Sequence, residues 1–180
     1  MSAGTEQAIG DYLVRVARPA DVAGARSVIL DTLYRVLGYG YVPEWHADVV
    51  DLAGTYLDNP RHALFVAVHQ NHVVGTAAVR ARGPKRPDWL VERYPSTSTA
   101  ELTRTYVRPE HRRHGLANAM IDLACEFVAS DAGYQAIYLH TDPAIEGAEP
   151  FWRSIGKEVH DSRTAEPYDG WLHFEIPLPA

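Results

Sequence analysis

The stretch that most constrains the fold is residues 100–128, AELTRTYVRPEHRRHGLANAMIDLACEFV. Its first eight residues are typical of a β-strand, which the Arg-Pro pair at 108–109 ends. Apolar residues then recur at spacings of four, three and four, which predicts an amphipathic helix with one buried face: Leu116, Met120, Leu123 and Phe127. A second strand, AIYLHT, follows at 136–141. Strand, helix and strand in this order imply a parallel strand pair joined by a crossover helix.

Basic and imidazole side chains crowd the start of that helix: Arg108, His111, Arg112, Arg113 and His114. The amide groups of a helix start lack intrahelical partners and carry the positive end of the helix dipole, so they bind phosphates. Gly115 would let the backbone approach a ligand closely, and Ala117 keeps the next inward position small. Two neighbouring guanidinium groups suit a pyrophosphate. The pattern favours a phosphorylated ligand at this helix start.

Composition limits the alternatives. With 180 residues and 46% hydrophobic content, the chain is long enough for one well-buried domain. Its net charge of −6 argues against a nucleic-acid-binding protein, so the basic cluster has a local purpose. The single cysteine, Cys125, excludes an internal disulfide. The sequence contains neither a run of about 20 apolar residues nor a signal-like start, and we expect a cytoplasmic protein without a membrane partner.

The first half of the chain predicts a strand, two helices and a hairpin. The strand YLVRVARPAD ends at Pro19, and Asp21 is a candidate cap for the helix VAGARSVILDTLYRVL. A second helix should run from Pro43 to the breaker at 59–60. Two strands around the turn at 70–71 then form a hairpin.

The remaining segments complete a mixed α/β pattern. Residues 83–99 contain three prolines and little periodicity, which predicts a long loop. A short helix, AEPFWRSI, ends at Gly156, and WLHFEIPL is the last strand.

Residues 112–117, RRHGLA, match a known signature: Gln or Arg, two residues, Gly, one residue, then Gly or Ala. With the strand before it, the amphipathic helix after it and the later AEPFWRSIG, the sequence resembles the GNAT superfamily of acyl-coenzyme A dependent N-acetyltransferases. The order of elements agrees over about residues 10–178, and the motif-bearing part covers about 100–160.

The resemblance implies one N-acetyltransferase domain over residues 1–180, with a structured core at about 10–178 and the long loop at 83–99. Its α/β fold would be a mixed, mostly antiparallel sheet of about seven strands, flanked by about four helices. A central parallel pair of strands would splay apart and hold the pantetheine arm of acetyl-CoA.

By the same resemblance, the backbone of three residues would bind the pantetheine and polarise the thioester: Tyr106, Val107 and Arg108. The pyrophosphate would lie beside the Arg112 side chain, on the backbone amides of five residues: Arg113, His114, Gly115, Leu116 and Ala117. No metal site is predicted, because His111 and His114 have no cysteine or carboxylate cluster beside them.

The implied reaction is direct attack of a neutral amine on the thioester, which requires a base and donors for the oxyanion. Glu101 is the candidate base, because it lies six residues before Val107 on one strand and family members use a glutamate there. The alternative is a partly exposed strand-end glutamate paired with an arginine.

The general acid is where the chain departs from the family pattern. Many members carry a tyrosine in the last short helix, and the matching position here is Trp152. An indole is a hydrogen-bond donor but not a useful proton donor. Another group or water would protonate the thiolate, or it would leave unprotonated. Trp152 would pack on the pantetheine or in the core.

The resemblance also implies that the acceptor amine enters between the first two helices and the loops opposite the cofactor. Tyr34 and Trp45 are the candidate substrate-binding residues, and their surroundings are aromatic and acidic: Tyr39, Tyr41, Glu44, Asp48 and Asp51. Such a surface suits a cationic amine, although the same residues could form helix faces and core. The loop at 83–99, with Trp89 and Tyr94, could close over the acceptor or form dimer contacts.

The sequence therefore predicts an N-acetyltransferase that moves an acetyl group from acetyl-CoA to a primary amine of a small molecule or peptide. The alternative is a GNAT-fold protein that binds acyl-CoA as a sensor or partner subunit without turnover. A nucleotide-binding enzyme is disfavoured, because neither a P-loop nor a dinucleotide-binding glycine pattern occurs. A homodimer is left open.

Overall fold

A computed structural model describes residues 6–38, 40–131 and 133–178. These residues form eight strands: β1 Glu6–Ile9, β2 Tyr12–Val16, β3 Ala63–His69, β4 His72–Ala81, β5 Thr99–Val107, β6 Ala136–Thr141, β7 Lys157–Asp161 and β8 Leu172–Ile176. They also form five α-helices: α1 Val22–Asp31, α2 Pro43–Val50, α3 Asp88–Arg93, α4 Leu116–Ser130 and α5 Ala148–Ile155. The strand order in the sheet is β1-β2-β3-β4-β5-β6-β8-β7, which is the mixed α/β architecture predicted.

The chain divides into two compact units, and β5 begins in one and ends in the other. The first unit comprises residues 1–80 and 103–127. In it β1, β2, β3 and β4 are joined by antiparallel ladders. The predicted hairpin is confirmed, with its turn at Gln70 and Asn71. Both turn residues have positive φ, 48° and 65°, as a two-residue turn between twisted strands requires.

The core of the first unit lies where helix and strand residues pack against each other. The apolar positions of β3 and β4 meet the inward faces of α1 and of the segment after α2 in one buried cluster: Ala17, Ala25, Val28, Ile29, Leu33, Val49, Leu52, Tyr56, Leu64, Val66, Val73 and Ala78. In α4 the predicted face is confirmed, since Leu116, Met120 and Leu123 are buried. Phe127 makes an edge contact with Phe65, with ring centroids 6.2 Å apart. Burial of these faces is the main contribution to the stability of the unit.

Both helices of the first half deviate from regular α geometry. The predicted helix at 22–37 is α1 followed by a π-helical turn at Thr32–Val36. The predicted second helix is α2, with non-helical dihedrals at His46, followed by another π-helical turn at Ala53–Leu57. Single π turns of this kind occur frequently at functional sites. The first of the two turns contains Tyr34, which is predicted to bind the acceptor.

Asp21 does not cap α1 as predicted. Its side chain makes no capping hydrogen bond to that helix. Instead, the carboxylate accepts two hydrogen bonds from the Arg15 guanidinium, at 2.5 and 3.0 Å, and one from the Arg18 amide at 2.7 Å. Although burial opposes it, the Arg15 hydrogen bond lowers the pKa of Asp21. A nearby arginine on the preceding strand therefore decides the role of this aspartate.

The second unit comprises residues 81–102 and 128–180. Its parallel ladder joins β5 to β6 through Thr99↔Ala136, Ala100↔Ile137 and Glu101↔Tyr138, which confirms the predicted parallel pair. The ladder ends at Glu101 although β5 continues to Val107, as expected for splayed strands. Antiparallel ladders join β6 to β8 and β8 to β7.

Residues 83–99 are not the featureless loop that the sequence predicts. They contain the short helix α3, and its Leu90 is buried in a small core with Tyr138 and with Tyr94, the residue that follows the helix. Tyr94 is thus not a surface residue that could close over an acceptor. A six-residue helix between prolines is too short to show a clear period in the sequence.

The strand count is also higher than predicted, because eight strands replace the expected seven or so. β1 is an edge strand with mostly exposed side chains, and β7 has only partly buried ones. Neither shows the alternation of apolar and polar residues that identifies a strand. Among the described residues, no helix has the length and apolar character needed to cross a membrane. The extent of the predicted single domain stays a prediction.

Candidate functional site

The predicted phosphate loop leads from β5 into α4 in the first unit. After Val107 the chain forms a 3₁₀ turn at Pro109–His111, and α4 begins at Leu116. Arg113 and Gly115 both have left-handed dihedrals, with φ of 65° and 75°. Left-handed residues turn successive amide groups towards one side, which is the geometry of anion-binding backbone nests. A Cβ atom added to Gly115 would meet nothing within 4 Å, so its backbone borders open space.

The four arginines of residues 104–113 fall into two classes. Arg104 forms an ion pair with Asp48, and Arg108 forms one with Asp31 at 2.5 Å. The side chains of Arg112 and Arg113 are exposed at the loop. The basic cluster of the sequence is therefore reduced to two arginines beside the helix start, because internal carboxylates bind the other two.

The end of β5 differs from the prediction at Arg108. Its amide donates to the Val74 carbonyl at 2.9 Å, and its carbonyl accepts from the His111 amide at 2.9 Å. Its guanidinium donates to Ser27 at 3.0 Å. An amide that already donates at this distance has no second hydrogen for a ligand. The predicted pantetheine contacts therefore rest on the backbone of Tyr106 and Val107.

Gly75 allows a close approach behind that segment. A Cβ atom at this position would lie 3.2 Å from the Tyr106 carbonyl oxygen and 3.1 Å from the Cε of Met120. Any larger residue would displace β5 or the buried face of α4. The sequence held no signal for this requirement, because the contacts join three separate elements.

Imidazole and phenol groups hold the loop to the neighbouring strands of the first unit. His114 is hydrogen-bonded through Nδ1 to the Arg112 carbonyl at 2.9 Å. The Nδ1 atom of His111 is 3.1 Å from the Tyr12 hydroxyl, and the ring of His69 lies 5.2 Å from that of His111. Within the described ranges, no three histidine, cysteine or carboxylate side chains are grouped as metal ligands. The rings orient the loop.

A buried network surrounds an irregularity in β5. Arg104 has a φ of 52° inside the strand. Its guanidinium donates to both carboxylate oxygens of Asp48, at 2.7 and 3.0 Å, and to the Trp45 carbonyl at 2.8 Å. The Tyr56 hydroxyl donates to Asp48 at 2.6 Å. Burial by itself would raise the pKa of Asp48, but the Arg104 hydrogen bonds and charge outweigh it and lower that pKa.

The left-handed residue also interrupts the alternation of β5. The prediction that Glu101 and Val107 share a face of β5 rests on their separation of six residues and on the side-chain period of two in a strand. Such a count assumes an extended backbone throughout, whereas residues with left-handed dihedrals within a strand usually mark a bulge. The count does not hold across Arg104, because its φ is 52°.

The acceptor residues predicted from sequence separate into exposed and buried ones. Tyr34 and Trp45 are 62% and 67% exposed, so neither is a core residue. Asp48 is buried and neutralised by Arg104, which corrects its assignment to an acidic surface. Tyr39 lies outside the described residues.

Glu101 lies in the second unit, on the part of β5 that pairs with β6. Its side chain is 3% exposed, so the partial exposure in the strand-end alternative is wrong, although the arginine beside it, Arg82, is present. Its carboxylate is 3.6 Å from the Nδ1 atom of His140 and 3.8 Å from the Nε atom of Arg82. The structure therefore provides a buried carboxylate between an imidazole and a guanidinium. The sequence gives no sign of His140 and Arg82 at this site, because His140 belongs to β6 and Arg82 follows the end of β4.

A second buried network lies on the neighbouring strands of that unit. His173 links the hydroxyl of Tyr138, 2.7 Å from Nδ1, to that of Ser162, 3.2 Å from Nε2. Burial, followed by the nearby charges of His140 and His160, lowers the pKa of His173 to about 4. Burial, followed by the charge of Glu101, raises the pKa of Tyr138. Near neutral pH these two groups are uncharged hydrogen-bonding partners.

Trp152 is buried in its unit, and Cys125 is partly buried in its own. Trp152, on α5, is 8% exposed, and its ring lies 4.9 Å from that of Phe151. This burial agrees with the core alternative for the indole. Burial, together with the charges of Asp122 and Glu126, raises the pKa of Cys125 to about 11. A thiol with this pKa is a poor nucleophile.

Comparison with known proteins identifies the family. Residues 30–156, more than half of the chain, match the Acetyltransferase (GNAT) family. The chain is 30% identical over 145 residues to "N-acetyltransferase 8" of Rattus norvegicus, covering 75% of this chain and 59% of the relative. The chain thus spans somewhat more than half the length of that relative.

Solved structures show the same fold at low sequence identity. The GNAT domain of S. lividans PAT superposes with a TM-score of 0.70 at 16% identity, over 98% of both chains. A GNAT-family acetyltransferase from Staphylococcus aureus Mu50 gives a TM-score of 0.68 at 13% identity, over 92% of this chain and 99% of the other. The loop geometry, the fold and the match at residues 30–156 agree, and the chain belongs to the GNAT family of acetyltransferases.

Proposed function

We propose that this protein transfers an acetyl group from acetyl-CoA to a primary amine of a small molecule or peptide. The observation that carries the proposal is the exposed turn before α4, in which Arg113 and Gly115 are left-handed and Arg112 lies alongside. Residues 112–117, which match the family's phosphate-binding signature, include this turn. Membership of an acetyltransferase family supports the acyl transfer.

In the proposed complex the backbone amides of residues 113–117 bind the pyrophosphate, and Arg112 contributes a guanidinium. The orphan amides and the helix dipole at the start of α4 favour the same anion. The backbone of Tyr106 and Val107 binds the pantetheine arm. Arg112 already donates from Nε to the Val107 carbonyl at 3.1 Å, so the two parts of the site are physically connected.

Glu101 is proposed to act as the general base. When the amine attacks the thioester carbonyl, a C–N bond forms, an N–H bond breaks and the proton goes to the carboxylate; the C–S bond then breaks and coenzyme A leaves as a thiolate. A buried carboxylate is suited to this step because little water competes for it. Trp152 supplies no proton to the thiolate, since its indole is not an acid at neutral pH.

The acceptor is proposed to bind beside Tyr34 and Trp45. Their exposed rings suit a cationic or aromatic amine through cation–π and apolar contacts. Glu44 is exposed on the same helix as Trp45 and contributes a negative charge. Asp48 contributes none, because it is paired with Arg104.

Cofactor placement is tested by calorimetric titration of acetyl-CoA into wild type and Gly115→Glu. The substitution puts a carboxylate into open space where the phosphates are expected. We expect affinity to fall about tenfold or more, which corresponds to a loss of about 1.4 kcal/mol or more of binding free energy. Gly38→Glu is the matched control. Gly38 is also exposed, has a φ of 72° and would have nothing within 4 Å of an added Cβ, so backbone strain and charge change are the same.

Equal affinity in wild type and folded Gly115→Glu would place the cofactor elsewhere. Loss of binding in both variants would mean that charge alone, and not the loop position, is responsible. Wild type that does not bind acetyl-CoA at all would remove the proposed function.

Catalysis is tested by thiol release from acetyl-CoA with a panel of primary amines. We expect Glu101→Gln to lower kcat/KM by about 10²-fold or more, as loss of a general base does, while acetyl-CoA binding is kept. Glu175→Gln is the control, because this carboxylate of the same unit is partly buried and hydrogen-bonded to Tyr94 and Arg93. It should stay within a few-fold of wild type.

The alternative, a GNAT-fold protein that binds acyl-CoA without turnover, predicts a different result in the thiol-release assay. Acetyl-CoA would bind with the same dependence on Gly115, but no amine would release coenzyme A above the rate of hydrolysis. Turnover that survives in Glu101→Gln would instead show that another group removes the proton.

A further inference from the structure

From the geometry around Glu101 we infer that His140 transfers a proton from Glu101 to solvent. This is the proton that Glu101 takes from the amine. This inference rests on the proposed function, because it concerns the step that resets the base after each turnover. It assigns a role to a residue that the sequence pattern did not indicate.

The buried position of Glu101 limits how its carboxylate can lose a proton. Each turnover would leave one proton on the carboxylate of Glu101, and that proton must leave before the next amine is deprotonated. The Glu101 side chain is only 3% exposed, whereas that of His140 is 42% exposed. The Nδ1 atom of His140 is 3.6 Å from Oε1 of Glu101. The buried base Glu101 therefore has a partly exposed neighbour, His140.

The strand register explains why the two side chains meet. Glu101 is opposite Tyr138 in the parallel ladder of β5 and β6. His140 is two residues beyond Tyr138 on β6 and so points to the same face. The Trp171 indole packs nearly perpendicular to the His140 ring, with centroids 5.1 Å apart, and limits its movement. The ring is thus held beside the carboxylate.

The chemistry of the two neighbours of Glu101 differs. Arg82 is 3.8 Å away, and a guanidinium is not a proton acceptor in proteins. Imidazole is the side chain that exchanges protons with water near neutral pH. The distance of 3.6 Å exceeds a hydrogen bond, and a small side-chain rotation or one intervening water closes it.

The steps balance without another reactant. The O–H bond of protonated Glu101 breaks as an N–H bond forms on neutral His140, which restores the carboxylate and gives an imidazolium. The imidazolium then gives its proton to water or buffer. Other titratable or charged groups of the unit also act on this pair or its neighbours: Arg82, Tyr94, Tyr138, His160, Asp169 and His173.

The test is kcat at saturating acetyl-CoA and amine, in dilute buffer, for wild type and His140→Ala. We expect kcat to fall about tenfold or more, as for loss of a proton-transfer group, and added imidazole to restore it in a saturable way that follows the neutral form of imidazole. A merely structural role would give no such rescue. His160→Ala is the control: its ring also lies near His173, 5.3 Å between centroids, and should give neither the loss nor the rescue.

A kcat of His140→Ala within twofold of wild type would overturn the inference, and so would a loss that imidazole leaves unchanged in the folded variant. These outcomes differ from failure of the proposed function, in which wild type itself has no turnover. If wild type is active and Glu101→Gln is equally active, the proton has another acceptor and the inference falls while the acetyltransferase activity stands.

Discussion

At the scale of single residues, the structure assigns different tasks to groups that look alike in the sequence. Arg104 and Arg108 bind internal carboxylates, whereas Arg112 and Arg113 are exposed at the loop. The difference arises because a guanidinium binds the nearest carboxylate that folding places beside it. Neighbours in space, which the sequence does not show, decide whether a charged side chain is structural or available to a ligand.

We expect the free energy of unfolding to depend on pH through His173. Its pKa in the folded protein, about 4, lies below the ordinary value near 6.5. Below pH 6.5 the unfolded chain therefore binds a proton that the folded chain does not, and stability is lost as the pH falls towards 4. The two values imply a loss of about 2 kcal/mol between pH 7.5 and 5 from this residue.

The measurement is urea unfolding of wild type, His173→Gln and His72→Gln across this pH range. His173→Gln should be less stable than wild type at pH 7.5, with a gap that narrows on acidification. His72 is exposed on the hairpin, so its variant should follow the wild-type curve. A gap of constant size would show that His173 titrates normally.

At the scale of elements, the buried pair of Asp48 and Arg104 joins α2 to β5 within the first unit. Arg104 has left-handed dihedrals, which cost about 1 kcal/mol or more in a residue with a Cβ. Hydrogen bonds from its guanidinium to Asp48 and to the Trp45 carbonyl offset that strain. The network fixes the helix that carries Trp45 and the strand that leads to the phosphate loop.

We expect the substitution Asp48→Asn to destabilise the folded protein. Removing the charge leaves Arg104 buried without its counter-ion, and breaking such a pair costs about 3–5 kcal/mol. Asp58→Asn is the same substitution at an exposed site and should change stability by about 0.5 kcal/mol or less. Chemical denaturation at neutral pH measures both. A cost below about 1 kcal/mol for Asp48→Asn would mean that the pair is solvated and does not hold the elements together.

At the scale of the whole molecule, family membership and fold agree, whereas the substrate and partners stay proposals. The chain covers 59% of the rat relative, so that protein's activity cannot be transferred as a whole. The solved structures are 13% and 16% identical and therefore establish the fold alone. The predicted cytoplasmic location and the homodimer also stay predictions. The two experiments on Gly115 and Glu101 decide whether the molecule binds the cofactor and whether it turns it over.

The sequence by itself determined the elements whose signals are local. Hydrophobic periodicity identified α4, the turn residues at 70–71 identified the hairpin, and strand–helix–strand order identified the parallel pair. These predictions succeeded because each depends on residues a few positions apart. Short or partly exposed elements, α3, β1 and β7, were missed because they carry too little of that pattern.

Only the tertiary structure decided which polar groups meet. Glu101 comes together with His140 of β6 and with Arg82 after the end of β4, and Asp48 with Arg104 from 56 positions further along the chain. The left-handed Arg104 also invalidates the spacing from which Glu101 and Val107 were predicted to share a face of β5. Such contacts depend on strand register and long-range packing, which no local spacing encodes. The motif thus gave the expected place of the cofactor, and folding gave the surroundings of the base.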